Sequence, residues 1–204
     1  MSTAAEVARK LLEIRAVRLS PQAPFTWASG IQSPIYCDNR MILSYPDTRR
    51  FIKQKLTEES RAFEPFDMVA GVATAGIAHG MLLADALDKP FIYVRSKPKG
   101  HGRQNQIEGD LTQGKRVLVV EDLISTGGSS LKAVEALRQA GVEVVGVLAI
   151  FTYGFEKAKN TFDAAGCPFA TLSDFDTLIN QAIECQYITE KDLTTLTDWR
   201  KAVG

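Results

Sequence analysis

Apolar positions along the chain fall into short consecutive runs separated by stretches of helical spacing. Met68–Val72, Phe91–Val94, Val117–Val120 and Val142–Phe151 are apolar at successive positions, as strands buried on both faces are. Pro46–Ser60, Ala75–Leu87 and Gly128–Ala140 read as helices between them. In the last of these, Leu131, Val134 and Leu137 form an apolar stripe, and Gly141 is placed to end the helix. Strands alternating with helices predict an α/β fold with a mainly parallel central sheet flanked by helices. Ligands of such sheets bind at the carboxyl ends of the strands. Ala4–Leu19 reads as an amphipathic helix packed on the body. Residues up to about 45 and from about 167 onward do not continue the alternation. One domain spanning 1–204 is therefore expected, with about 46–166 as its core and about 1–45 and 167–204 as a small cap beside the ligand end.

The run from Val117 to Ser130 carries the most chemistry. Four apolar β-formers are followed by Glu121 and Asp122, then by Leu123-Ile124-Ser125-Thr126-Gly127-Gly128-Ser129, where a helix begins. The glycines let consecutive N–H groups turn toward one point, and the hydroxyls add donors. The helix that follows aims its unpaired N–H groups and its positive dipole end at the same place. A sugar phosphate suits both halves: its hydroxyls donate to carboxylates and its phosphate accepts from N–H groups. No lysine follows Gly128, as a P-loop requires, and no G-x-G-x-x-G follows a predicted strand.

Glu121 to Ser129 resembles the phosphoribosyl-diphosphate signature of type I phosphoribosyltransferases. The resemblance implies that the two acids meet ribose hydroxyls and that the loop holds the 5′-phosphate. It also implies a hood, formed by the cap segments, that selects the base. Val69 to Ala78 is again strand, small-residue turn and helix, a second place for an anion. Its Ala73-Thr74-Ala75-Gly76-Ile77 is similar to the turn that meets pyrophosphate in orotate phosphoribosyltransferases, which points to Thr74 and Ala75.

Between Arg95 and Gly109 the chain is polar, with Arg95, Lys97, Lys99, His101 and Arg103 among glycines. Long segments of this kind inside a domain are usually functional or disordered. Cations here would neutralise a leaving diphosphate, and closure would keep water from a sugar cation. Tyr93 to Gly102 resembles the catalytic loop of orotate phosphoribosyltransferases. By position, Arg95, Lys99 and His101 become diphosphate ligands, with Lys99, His101 and Asp122 as the catalytic set. The sequence leaves open whether Lys99 or His101 moves a proton or acts by charge alone. Ser96 stands where some relatives have a further lysine. The resemblance also implies a homodimer in which this loop reaches the neighbouring subunit's site.

Phe25 to Asp38 is β-prone, with a Ser-Gly turn and a Ser-Pro step that suggest a hairpin. It is similar to the family's N-terminal F-T-x-x-S-G-x-x-S-P-x-Y segment, which brings Tyr36, together with Ser125, to the orotate. Ala28 stands where some relatives carry a substrate-contacting lysine, and Thr152-Tyr153 where some carry an arginine for the orotate carboxylate.

The implied reaction transfers ribose 5-phosphate from 5-phosphoribosyl 1-diphosphate to orotate, giving orotidine 5′-phosphate and pyrophosphate in de novo pyrimidine (UMP) biosynthesis. Magnesium is the expected cofactor. It is held mainly by substrate phosphates and water, so it needs no dedicated protein ligand set. Transfer to a purine or to uracil, and a regulator that senses the same ligand and binds nucleic acid, are the competing readings.

Charge and cysteine usage narrow these choices. The chain has 24 basic and 24 acidic residues, a formal net charge of zero that argues against a general nucleic-acid or membrane surface. Cys37, Cys167 and Cys185 are widely spaced and lie in no C-x-x-C, as expected of free thiols in a reducing cytoplasm. No apolar run approaches membrane-spanning length. His79, within a predicted helix, reads as a structural histidine satisfied by its surroundings, and Trp27 and Trp199 read as packing residues.

Overall fold

The computed structural model describes residues 1–27, 30–97 and 106–204. Helix α1 (Thr3–Glu13) starts at Ser2, whose hydroxyl accepts from the Ala5 N–H at 3.3 Å. The helical pattern extended to Leu19, but α1 ends at Glu13 and Val17–Leu19 form strand β1. Strands β2 (Phe25–Thr26) and β3 (Gln32–Ser33) make the expected hairpin, and β4 (Ile35–Cys37) returns antiparallel to β1. Pairing across this sequence distance overrides local helical spacing. A 3₁₀ turn (Asn39–Ser44) then leads into α2 (Pro46–Ser60), with Pro46 at the first helical position.

The regular alternation follows: β5 (Met68–Val72), α3 (Ala75–Leu87), β6 (Phe91–Val94), β7 (Ile107–Glu108), β8 (Arg116–Ile124), α4 (Gly128–Gln139) and β9 (Glu143–Thr152). After it come α5 (Glu156–Ala164), β10 (Phe169–Asp174), α6 (Phe175–Glu184) and α7 (Glu190–Val203). Among the described residues the central sheet has six strands in the order β10-β9-β8-β5-β6-β7. All neighbouring pairs are parallel except β6–β7 at one edge. Strand β10, which the sequence pattern did not announce, occupies the opposite edge.

Both faces of the sheet are covered, which explains strands apolar at every position. Val69, Leu118, Val120, Leu148 and Ile150 pack with α1, α2, α3 and α6. Their alternates Met68, Ala70, Val119, Val147 and Ala149 pack with α4 and α5. Helix α3 lies unusually close to the sheet. A Cβ on Gly76 would fall 2.5 Å from the Val120 carbonyl oxygen, and one on Gly71 would fall 2.8 Å from the Gly76 oxygen. The hairpin meets the last helix: Trp199 Nε1 donates to the Gln32 carbonyl at 3.0 Å. No helix among the described residues is long and apolar enough to cross a membrane.

Candidate active site

Strand β8 outruns its neighbour. Its ladder with β5 ends at Gly71–Val120, while pairing with β9 continues to Ile124–Thr152. The two acids therefore sit inside the strand rather than after it, at a point where β5 no longer pairs with it. Side chains of successive strand residues point to opposite faces, so Glu121 and Asp122 serve different surroundings.

Glu121 turns toward α4 and is buried. Its Oε2 accepts from the Ser129 and Ser130 hydroxyls, each at 3.4 Å, and its Oε1 from the Asp122 N–H at 3.1 Å. Asp122 turns toward the cap, near Asp38 and Arg40. There the Arg40 guanidinium forks onto the Asp38 carboxylate at 2.7 and 2.9 Å. Burial raises the pKa of both Glu121 and Asp122, and the Asp122 charge pushes Glu121 up further. Both carboxyls therefore hold their protons more tightly than exposed carboxylates do.

Between the ordinary Glu value of 4.5 and its raised folded value, the folded chain binds more protons at Glu121 than the unfolded chain. Stability therefore falls as pH rises through that window. Glu121→Gln removes the ionisation. Its thermal midpoint should exceed that of the wild type at about pH 8, by about 2–4 °C per kcal/mol regained, and the gap should close toward about pH 4. Thermal scans at the two pH values check this; a gap that widens on acidification contradicts the assignment.

In the loop after β8, Gly127 adopts φ +82°, and a Cβ there would sit 2.8 Å from the Phe162 ring. Thr126, Gly128 and Ser129 are exposed at the open start of α4, with Ser125 partly buried behind them. Ile124 does not present its side chain: it is fully buried, and its carbonyl accepts from the Thr152 hydroxyl at 2.9 Å. In the second turn the Ala73 N–H donates to the Val94 carbonyl at 2.8 Å. Thr74 is exposed, and Ala75 opens α3 beside it. Gly76 packs against the backbone of Val120 and Glu121, so this turn and the acid pair share one end of the sheet.

Beside Asp122 lies a pocket of about 420 Å³, lined by Thr26, Trp27, Tyr36, Cys37, Leu123, Ser125 and Tyr153. Tyr36 and Ser125, distant in sequence, thus meet on its wall. The Trp27 and Tyr153 rings lie 5.4 Å apart, and Trp27 Nε1 donates to the Ile35 carbonyl at 3.1 Å. Burial, and then the Asp122 charge, raise the Cys37 thiol pKa; burial likewise raises that of the Tyr153 phenol. Both stay neutral, and the described lining holds no lysine or arginine. Trp27 was expected only to pack and Cys37 carried no expectation of contact; Tyr153 stands where some relatives carry a base-contacting arginine, and aromatic enrichment between Phe25 and Tyr36 was the signal for the rest.

The basic segment is described only at its ends. Arg95 Nη1 lies 3.5 Å from Glu108 Oε1, and the Arg95 N–H donates to the Gln106 carbonyl at 2.8 Å. Arg95 and Lys97 border a second pocket, about 400 Å³, that also touches Gly128, Ser129 and Lys132. Lys99, His101 and Arg103 lie outside the described residues, as does Ala28. Among the described residues no group of three or more His, Cys, Asp or Glu side chains is arranged to hold a metal ion.

Residues 41–177 match the model of the phosphoribosyl transferase domain. The chain is 55% identical over 202 residues to the orotate phosphoribosyltransferase of Listeria monocytogenes, covering 98% of this chain and 97% of that one. It superposes on the UMP synthase of Leishmania donovani with a TM-score of 0.82 and 28% identity, covering 98% of this chain but 42% of that longer one. It also superposes on the Mycobacterium tuberculosis orotate phosphoribosyltransferase in complex with 5-phospho-α-D-ribosyl 1-diphosphate. There the TM-score is 0.67 and the identity 26%, over 86% of this chain and 98% of that one.

Proposed function

This chain belongs to the orotate phosphoribosyltransferase family, and from that membership we propose that it moves ribose 5-phosphate from 5-phosphoribosyl 1-diphosphate onto orotate. The products are orotidine 5′-phosphate and pyrophosphate, in the cytoplasmic synthesis of UMP. One observation carries the reading: the acid pair, the hydroxyl-glycine loop and the neutral aromatic pocket share the carboxyl end of β8. A sugar phosphate laid across that end places its ribose on Glu121 and Asp122 and its base in the pocket.

In this reading the 5′-phosphate takes the N–H groups and hydroxyls from Ser125 to Ser129, at the start of α4. The diphosphate extends toward Thr74 and Ala75. Arg95, Lys99 and His101 neutralise it, donated by the neighbouring subunit of a homodimer. Positive charge develops on the sugar as the anomeric bond breaks, and orotate N1 attacks from the opposite face. The chain supplies positioning and charge rather than a covalent nucleophile. Tyr36 and Ser125 face the base; with no charged side chain in the described lining, neutral donors and backbone N–H groups hold its carboxylate. Residues 1–45 and 167–204 contribute the hood, in which Trp27 and Trp199 already touch at 5.6 Å between ring centres.

Among the described residues no group of three or more acids, histidines or cysteines is arranged around a metal, which fits a magnesium ion held mainly by substrate phosphates and water beside Asp122. When bound, magnesium offsets charge on the diphosphate and ribose oxygens and eases departure of the leaving group.

A base panel tests the assignment. With phosphoribosyl diphosphate and magnesium, orotate should drive pyrophosphate release, whereas uracil, hypoxanthine and adenine should not. Faster release with hypoxanthine, adenine or uracil would reassign the base.

A further inference from the structure

Beyond Val120, β8 pairs with no strand among the described residues on the side where β5 has ended. A side chain from the N-terminal segment fills the place. Asn39 Nδ2 donates to the Asp122 main-chain carbonyl at 2.7 Å. Asn39 is fully buried at the head of the 3₁₀ turn, and its side chain and N–H also meet the Cys37 thiol. Its backbone lies beside the ring of His79, which is buried on α3. Burial lowers the His79 pKa to about 4, so the ring is neutral.

Two atoms in this cluster are not satisfied. Asn39 Oδ1 and His79 Nε2 are buried, and neither has a hydrogen-bond partner among the described residues. A buried acceptor without a donor is costly, and an apolar side chain of similar size would spare that cost. The chain keeps both groups where three parts of the site meet: the hood, the helix of the diphosphate turn and the strand of the acids.

We propose that Asn39 and His79 are positioning residues for phosphoribosyl transfer: His79 holds the Asn39 backbone, and the Asn39 amide holds the strand end that carries Asp122. The inference rests on Asp122 meeting the ribose hydroxyls. Without the amide, the Asp122–Leu123 peptide is held only from the β9 side, so it and the Asp122 carboxylate are placed less firmly. Misplacement by about 1 Å costs about a hundredfold in rate.

The test compares Asn39→Leu, His79→Leu and His79→Asn with the wild-type full chain, reading thermal midpoint, kcat and each KM. His79→Leu should keep or raise the midpoint, because the unpaired Nε2 is gone, whereas Asn39→Leu should lower it modestly, because the Asp122 carbonyl loses its donor. The kcat of both leucine variants should fall about 10- to 100-fold, with a higher KM for phosphoribosyl diphosphate and little change for orotate. His79→Asn retains a donor beside the Asn39 backbone and should recover most of the loss. Wild-type kinetics in both leucine variants, or a loss explained wholly by unfolded protein, overturns the proposal. Should Asn39→Leu fail to fold, His79→Leu decides by the same readings, since it leaves the Asp122 carbonyl its donor. Asp122→Asn run alongside separates the two levels. Full activity there removes the ribose reading itself, whereas an inactive Asp122→Asn beside fully active leucine variants removes only the positioning role.

Discussion

Asp122→Asn is expected to lower kcat/KM for phosphoribosyl diphosphate by on the order of 10²–10³-fold while leaving the chain at least as stable as the wild type. The two effects have one cause. Burial raises the Asp122 pKa, so the folded chain spends stability to hold a charge at that point. Asparagine keeps the shape and removes the charge, and the thermal midpoint at neutral pH should rise. A carboxylate accepts from two ribose hydroxyls through charge-assisted bonds worth about 1.5–3 kcal/mol each, and the amide replaces them with weaker ones. The loss should therefore fall on the sugar substrate and spare the KM of orotate. Steady-state kinetics with each substrate varied in turn, beside a thermal scan, reads both effects. A variant with unchanged turnover would show that the ribose is held elsewhere.

The acid pair was visible in the sequence because local patterns announce it. An apolar run, two carboxylates and a glycine-hydroxyl loop are contiguous, and the strand, turn and helix they imply need no distant partner. The same holds for α3, whose bounds, Ala75–Leu87, match the pattern. What stayed hidden depends on pairing between distant segments. Val17–Leu19 looks helical until Ile35–Cys37 arrives to pair with it. Phe169–Asp174 becomes a strand because β9 offers an edge. The reach of β8 to Ile124 was missed because polar residues interrupt its apolar run, although their backbone still pairs with β9. The pocket proposed for the base is the extreme case. Trp27, Cys37 and Tyr153 come from the hairpin region, from β4 and from just beyond β9, and only folding sets them around one cavity. His79 was expected to be fully satisfied by its surroundings, yet its Nε2 has no partner among the described residues. Spacing along a chain cannot reveal an orphaned atom.

Lys99→Ala should lower kcat by about a hundredfold or more, because a cation that meets the departing diphosphate acts chiefly in the transition state. Lys99 itself lies outside the described residues, so the expectation comes from its place in the Arg95–Gly102 pattern. The sharper experiment asks whose site the lysine serves. Lys99→Ala leaves the phosphate loop intact. A Ser125→Ala/Gly127→Ala chain keeps the lysine but loses the loop, since Gly127 has φ +82° and a methyl there meets Phe162 at 2.8 Å. Each variant alone is expected to be nearly inactive. If the basic segment crosses between subunits, a hybrid dimer joins the intact loop of one chain to the intact lysine of the other at one of its two sites. Random exchange of equal amounts makes half the dimers hybrid, so about a quarter of wild-type activity should return. If the lysine serves its own chain, every site in the hybrid lacks one component and nothing returns. Native mass spectrometry of the mixture establishes that exchange has occurred. Silence from confirmed hybrids would place Lys99 in its own subunit's site and leave the proposed loop exchange without support.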